Sequence, residues 1–142
     1  MALKPLNTLI KIHKQKADIL RREMVVLEEE KHQLETAADK LRDDHAREMQ
    51  HVAKEPAFIT FMGSYSDYVR RRLEAIVLET QRLNQEIEEK RDAIGEEFSE
   101  QKKYEIARRH IQKRIQEEER HRAQQKSDEV GAQQYRRQKE EL

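Results

Sequence analysis

The side chains available for chemistry in this chain are 6 histidines and 29 carboxylates, with no cysteine. A thiol nucleophile, a disulfide framework and a Cys-ligated zinc or iron–sulfur site are thereby excluded. The histidines stand at positions 13, 32, 45, 51, 110 and 121. No two are four residues apart, the spacing that brings two imidazoles onto one metal from one helix face. There is also no HExxH run and no Gly-rich phosphate loop. Carboxylates are abundant, but general acid–base work needs a cleft that desolvates one of them. The runs Glu28-Glu29-Glu30 and Glu117-Glu118-Glu119 read as solvated helix faces. The expectation is no catalytic residue, no metal ligand and no cofactor: the chain does not read as an enzyme.

Recognition chemistry remains. Phe58, Ile59, Phe61 and Met62 form an apolar, aromatic cluster, and Tyr65 and Tyr68 follow it. The end of a two-helix turn can bury two or three such side chains and leaves others to a partner. Basic groups cluster at Arg70-Arg71-Arg72, Arg108-Arg109 and Arg136-Arg137. A bZIP region would need a dense basic stretch feeding into a leucine zipper. Here residues 11–22 hold only five basic residues, and the leucine repeat already passes through them. Formal net charge is zero, so bulk electrostatics does not point to nucleic acid.

The elements that must position these groups follow from composition and period. Of 142 residues, 41% are charged and 35% apolar, with 3 Gly, 2 Pro and no Trp. That is too little apolar matter for an ordinary globule and too few turn residues for a sandwich or wound sheet. The apolar runs Met24-Val25-Val26-Leu27 and Ala75-Ile76-Val77-Leu78 reach four residues, where a membrane span needs about 20. The first residues hold one lysine and no apolar stretch fit for a signal peptide.

Periodicity then chooses a helical rod over a disordered polyampholyte. Leu6, His13, Leu20, Leu27, Leu34 and Leu41 fall seven apart, as do Ile10, Ala17, Met24, Lys31, Ala38, His45 and Val52 four places later. This 3–4 alternation is a coiled-coil seam. His13 and His45 read as polar seam residues that set register or pair across to a second helix. A second seam runs through Met62, Val69, Ile76, Leu83, Lys90, Glu97, Tyr104 and Ile111. Its companion series is Leu73, Thr80, Ile87, Ile94, Gln101, Arg108 and Ile115. Beyond Ile115 the seam turns polar at Glu118 and Arg122.

Lys54-Glu55-Pro56 disfavours helix, Gly63 interrupts, and Ser64 with Asp67 resembles a capping box. The expected fold is all-α, a long antiparallel two-helix coiled-coil hairpin with a C-terminal helical overhang. It forms a single domain over 1–142, with helix 1 at about 4–53, the bend at about 54–63 and helix 2 at about 64–135. A helix of about 50 residues covers only part of one near 70, so the last 20–30 residues lack an intramolecular partner. Charge falls in blocks: residues 1–22 are net +5, 23–48 net −5, 79–100 net −5 and 101–142 net +4.

Three features resemble one family. They are the start Leu3-x-x-Leu6-x-x-Leu9 followed by basic residues, the aromatic pair Phe61 and Tyr65 near the bend, and Gln125-Lys126-x-Asp128-Glu129 followed by arginines. Together with length and hairpin arithmetic, over essentially the whole chain, they are similar to the FliJ family of bacterial flagellar export proteins. The resemblance implies a stalk that enters the export ATPase ring and promotes its assembly. It also implies contact with the membrane-embedded export gate and escort of export chaperones. Such a protein is cytoplasmic and peripheral at the inner face of the cytoplasmic membrane, without inserting into it, and a folded-back hairpin is expected to be a monomer on its own. By position, Tyr65 and Tyr68 would lie near the gate-binding surface. Arg120, Arg122, Gln125, Lys126, Asp128 and Glu129 would lie on the ATPase-facing helix. The family's helix-1 gate aromatics have no counterpart, since residues 31–50 contain no Phe, Tyr or Trp. The corresponding stalk of an injectisome-type secretion system and an unrelated structural, dimerising coiled coil stay open as alternatives.

Overall fold

The computed structural model describes residues 2–141; positions 1 and 142, the ends of the span read as one domain, lie outside them. Two helices account for almost all of it, α1 (Leu3–Lys54) and α2 (Ile59–Glu141), and no strand occurs among the described residues. They pack against each other as an all-α two-helix hairpin.

The turn between them is short. Pro56 has no backbone N–H and disfavours α geometry in the residue before it. The Glu55 N–H still donates to the His51 carbonyl at 3.1 Å, closing the last turn of α1. The Phe58 N–H then donates to the Glu55 carbonyl at 3.2 Å, forming a single 3-10 turn over Pro56–Phe58. Proline is well placed there, because the first residues of a helical turn have no acceptor for their N–H groups.

This corrects the expected bend. α2 starts at Ile59, not near residue 64, and runs to Glu141 rather than to about 135. Ser64 and Asp67 are therefore interior to the helix, and Asp67 pairs with Arg70 at 3.3 Å instead of capping an N-terminus. Gly63 has no positive φ, and a β-carbon placed on it meets open space. A helical glycine costs only about 1 kcal/mol relative to alanine, too little to end a helix already under way. Gly63→Ala is accordingly expected to stabilise the chain by roughly 0.5–1 kcal/mol. Thermal unfolding followed by circular dichroism checks this; a lower melting temperature would mean that the turn needs the freedom of glycine.

Contacts divide the chain into two compact units, one of Gln15–Glu97 and one of Met1–Lys14 with Phe98–Leu142. In the first, His45 meets Tyr65 and Ser66 while Glu23 meets Lys90, which fixes the helices as antiparallel. Its buried side chains are Ala17, Ala38, Val69, Ile76, Leu83 and Ile87, all at seam positions. In the second, Asn7 meets Arg108 and His13 stacks on Tyr104, again antiparallel. Ile10 is buried there, with Leu6, Tyr104 and Ile111 half-buried.

Along α1 every seam position from Leu6 to Val52 is buried or half-buried, and along α2 every one from Met62 to Ile111. Ile115, 38% exposed, is the first seam residue left outside. Residues 112–141 are helical and exposed throughout. The seam ends because α1 starts at Leu3, and among the described residues no further helix covers α2 beyond Ile111.

Candidate partner-binding surfaces

Two surfaces carry the residues singled out by sequence. In the Gln15–Glu97 unit, Tyr65 and Tyr68 lie one turn apart on α2 but do different things. Tyr65 is half-buried and stacks on His45, with ring centroids 5.7 Å apart and planes at 30°. The His45 Nε2 is also 3.0 Å from the Ser66 Oγ. This polar patch holds the two helices in register near the turn, the role expected for a polar seam residue. Tyr68 faces away from the seam and is 59% exposed.

Beside Tyr65 opens a cleft of about 520 Å³, lined by the apolar Val52, Phe58, Phe61 and Met62 and by the polar Glu48, His51, Lys54 and Glu55. Two helices joined by a four-residue turn cannot enclose this cluster. Phe61 stays 73% exposed and Ile59 61% exposed. Tyr65, Phe61 and Phe58 thus form one continuous apolar surface, while Tyr68 stands outside it. The sequence singled out Tyr68 for its nearness in the chain, and only the helical phase separates it from the cleft.

The second surface belongs to the other unit. Arg120, Arg122, Gln125, Lys126, Asp128 and Glu129 are all exposed on α2. At about 100° per residue, Arg122, Gln125, Lys126 and Glu129 share one face, and this face continues the line of Ile111 and Ile115. Arg120 and Asp128 fall on other sides of the helix. The Gln124 amide donates to Asp128 at 3.1 Å, and Gln125 lies 3.3 Å from the His121 Nε2. These contacts are local i, i+4 pairs that support the helix and leave the face of Arg122 and Glu129 open.

Cross-helix polar contacts are the features that the sequence concealed. The Arg108 guanidinium donates to the Asn7 Oδ1 at 2.9 Å, and His13 stacks on Tyr104 at 5.5 Å between centroids. The two pairs are 101 and 91 residues apart in the chain, so no local pattern reveals them. Glu105 has its carboxyl held below its ordinary value, first by the Gln101 side chain that donates to it at 3.0 Å and further by Lys102 and Arg108. Among the described residues no group of three or more His, Asp or Glu side chains is arranged to hold a metal ion. No helix is long and apolar enough to cross a membrane. Comparison of the chain with models of protein families, with curated proteins and with solved structures finds no match.

Proposed function

We propose that this chain is a stalk-like component of a bacterial flagellar protein export apparatus. It binds the export ATPase ring through α2 beyond Ile111 and promotes ring assembly. It contacts the export gate through the surface around Tyr65 and Tyr68, and it escorts export chaperones. It works in the cytoplasm, peripheral at the inner face of the cytoplasmic membrane.

The observation that carries this reading is the stretch 112–141, an exposed helix on which Arg122, Gln125 and Glu129 prolong the phase of a seam that has lost its partner. An ordinary coiled coil ends where its seam ends, because a lone helix gains little from continuing. Here the helix continues in polar form, which suits a wet, shallow fit inside a ring. Exposed ion pairs contribute about 0–1 kcal/mol each. Contacts of that strength set orientation and encounter rate while letting the ring turn or reload.

The test mixes the purified chain with the flagellar export ATPase of the same organism and follows light scattering and ATP turnover together. Both are expected to rise and to saturate at about one chain per closed ring, the ratio of a single central stalk. No response from a well-folded monomer would overturn the reading. A response to an injectisome ATPase alone would transfer the chain to that system.

A further inference from the structure

We propose that the acidic groove beside Val26, within the Gln15–Glu97 unit, is a docking site for a basic amphipathic helix of a partner protein. It is lined by the apolar Val26 and Leu27 and by the charged Glu23, Glu86, Glu89 and Lys90. It measures about 540 Å³. The inference goes beyond the stalk reading and draws on no residue of the overhang or of the tyrosine surface.

Apolar phase supplies the first argument. Leu27 belongs to the seam and is half-buried, whereas Val26 is 58% exposed beside it. Ile19, one heptad earlier on the same flank of α1, is 51% exposed. Two β-branched apolar side chains about 10.5 Å apart along a helix form a second, short stripe offset from the seam. A helix with two stripes can serve two partners, and α2 occupies only the seam.

Charge supplies the second argument, and it selects the occupant. Glu23 is paired with Lys90, but Glu86 and Glu89 make no ion pair among the described residues. Glu30, one heptad beyond Glu23 on the same flank, has none either. An apolar lining among unpaired carboxylates repels a nucleic acid or an anionic bilayer. It fits a helix with apolar residues at i, i+3 or i+4 and i+7, flanked by Lys or Arg. Such a helix would cover Ile19 and Val26 and neutralise the carboxylates, completing a local three-helix packing.

The experiment titrates the full chain into a fluorescein-labelled synthetic helix of about 22 residues, with Leu at seam spacing and Lys or Arg on both flanks. The control peptide has the same composition, with its apolar residues scattered. Fluorescence anisotropy is expected to show the patterned peptide binding about tenfold more tightly than the scattered one. Ile19→Ser with Val26→Ser should weaken binding at least about fivefold. Glu86→Gln with Glu89→Gln should weaken it by a similar factor and flatten its salt dependence. Glu117→Gln with Glu118→Gln, in the overhang, should leave it unchanged. All six positions are exposed or half-buried and outside the buried seam, so the circular dichroism spectrum should stay that of the parent chain.

Equal binding of the two peptides would overturn the proposal, because charge alone would then suffice. Indifference to the Ile19 and Val26 changes would also overturn it. Sedimentation at the same concentrations guards against the remaining occupant: a doubled mass lost on Val26→Ser would assign the groove to a second copy of this chain. The export ATPase is absent from these assays, so their outcome and that of the stalk test are read independently.

Discussion

Removal of residues 116–142 is expected to abolish the response of the export ATPase while leaving the hairpin's melting temperature almost where it was. The two halves of this expectation have separate physical sources. Every residue from 112 to 141 is exposed, so the deletion takes away almost no buried apolar area, the main source of tertiary stability. Helical signal per molecule falls because residues are lost, but the cooperative transition belongs to the seam between Leu6 and Ile111. On the proposed reading the ring-facing chemistry, by contrast, belongs to Arg122, Gln125, Lys126 and Glu129. A finer variant replaces Arg122, Gln125 and Glu129 with alanine, which raises helix propensity and removes only the functional groups. It should weaken ring stimulation with the helix intact. A large fall in melting temperature on deletion would show instead that the overhang packs as core, and stimulation by the truncated chain would remove the overhang from the site.

Leu83→Ala is expected to be the most damaging single truncation. Leu83 is 1% exposed and lies among the buried residues Ile76 and Ile87 on the same stripe of α2. Deleting a buried leucine's methyl groups leaves a cavity and costs about 2–5 kcal/mol. Domains of this size carry only about 5–15 kcal/mol in total. A two-helix protein has no second layer that could relax into the gap. Denaturant unfolding should show a sharply lower midpoint with little change in slope. Leu78→Ala is the matched control, since Leu78 is 67% exposed and surface truncations stay within about 0.5 kcal/mol. If the control were the more harmful change, the seam would run through a different phase of the helix.

The contrast between Leu83 and Leu78 also measures how much was legible in the sequence. Heptad spacing placed Leu83 in the seam and left Leu78 out of it, because burial against one partner helix imposes a strict period and composition does not. The same spacing carries the seam through Ile115, one helical turn past Ile111, where α2 loses its cover. The turn was less legible. Gly63 and the Ser64–Asp67 pair look like a stop and a start, yet a glycine inside a helix is a small penalty that Met62 and Tyr65, half-buried on either side, override. The partners of His45 and Arg108 were hidden for a different reason. Which residue faces which across a hairpin depends on the length of the turn, and Gly63 with Ser64 and Asp67 makes that turn look longer than it is. The groove beside Val26 was hidden as well: in the sequence it is one member of the run Met24-Val25-Val26-Leu27, and only the packed helices show that Leu27 turns inward while Val26 does not.

The ion pairs have a consequence for how this molecule opens. Asp18–Arg21, Asp39–Arg42, Asp44–Arg47, Asp67–Arg70, Glu79–Arg82 and Glu88–Arg91 each join an acid to an arginine three residues later on the same helix. A helix that neutralises itself in this way carries its ionic partners along when it peels from its neighbour, so these pairs neither resist separation nor reward a wrong alignment. Shape along the seam, the His45–Tyr65–Ser66 patch and the cross-helix Glu23–Lys90 pair are left to specify register, and re-closure after a local opening leaves the six intrahelical pairs unexchanged. Such a zipper can part over a few turns and return to the same teeth, in dilute buffer or at the ionic strength of a cell.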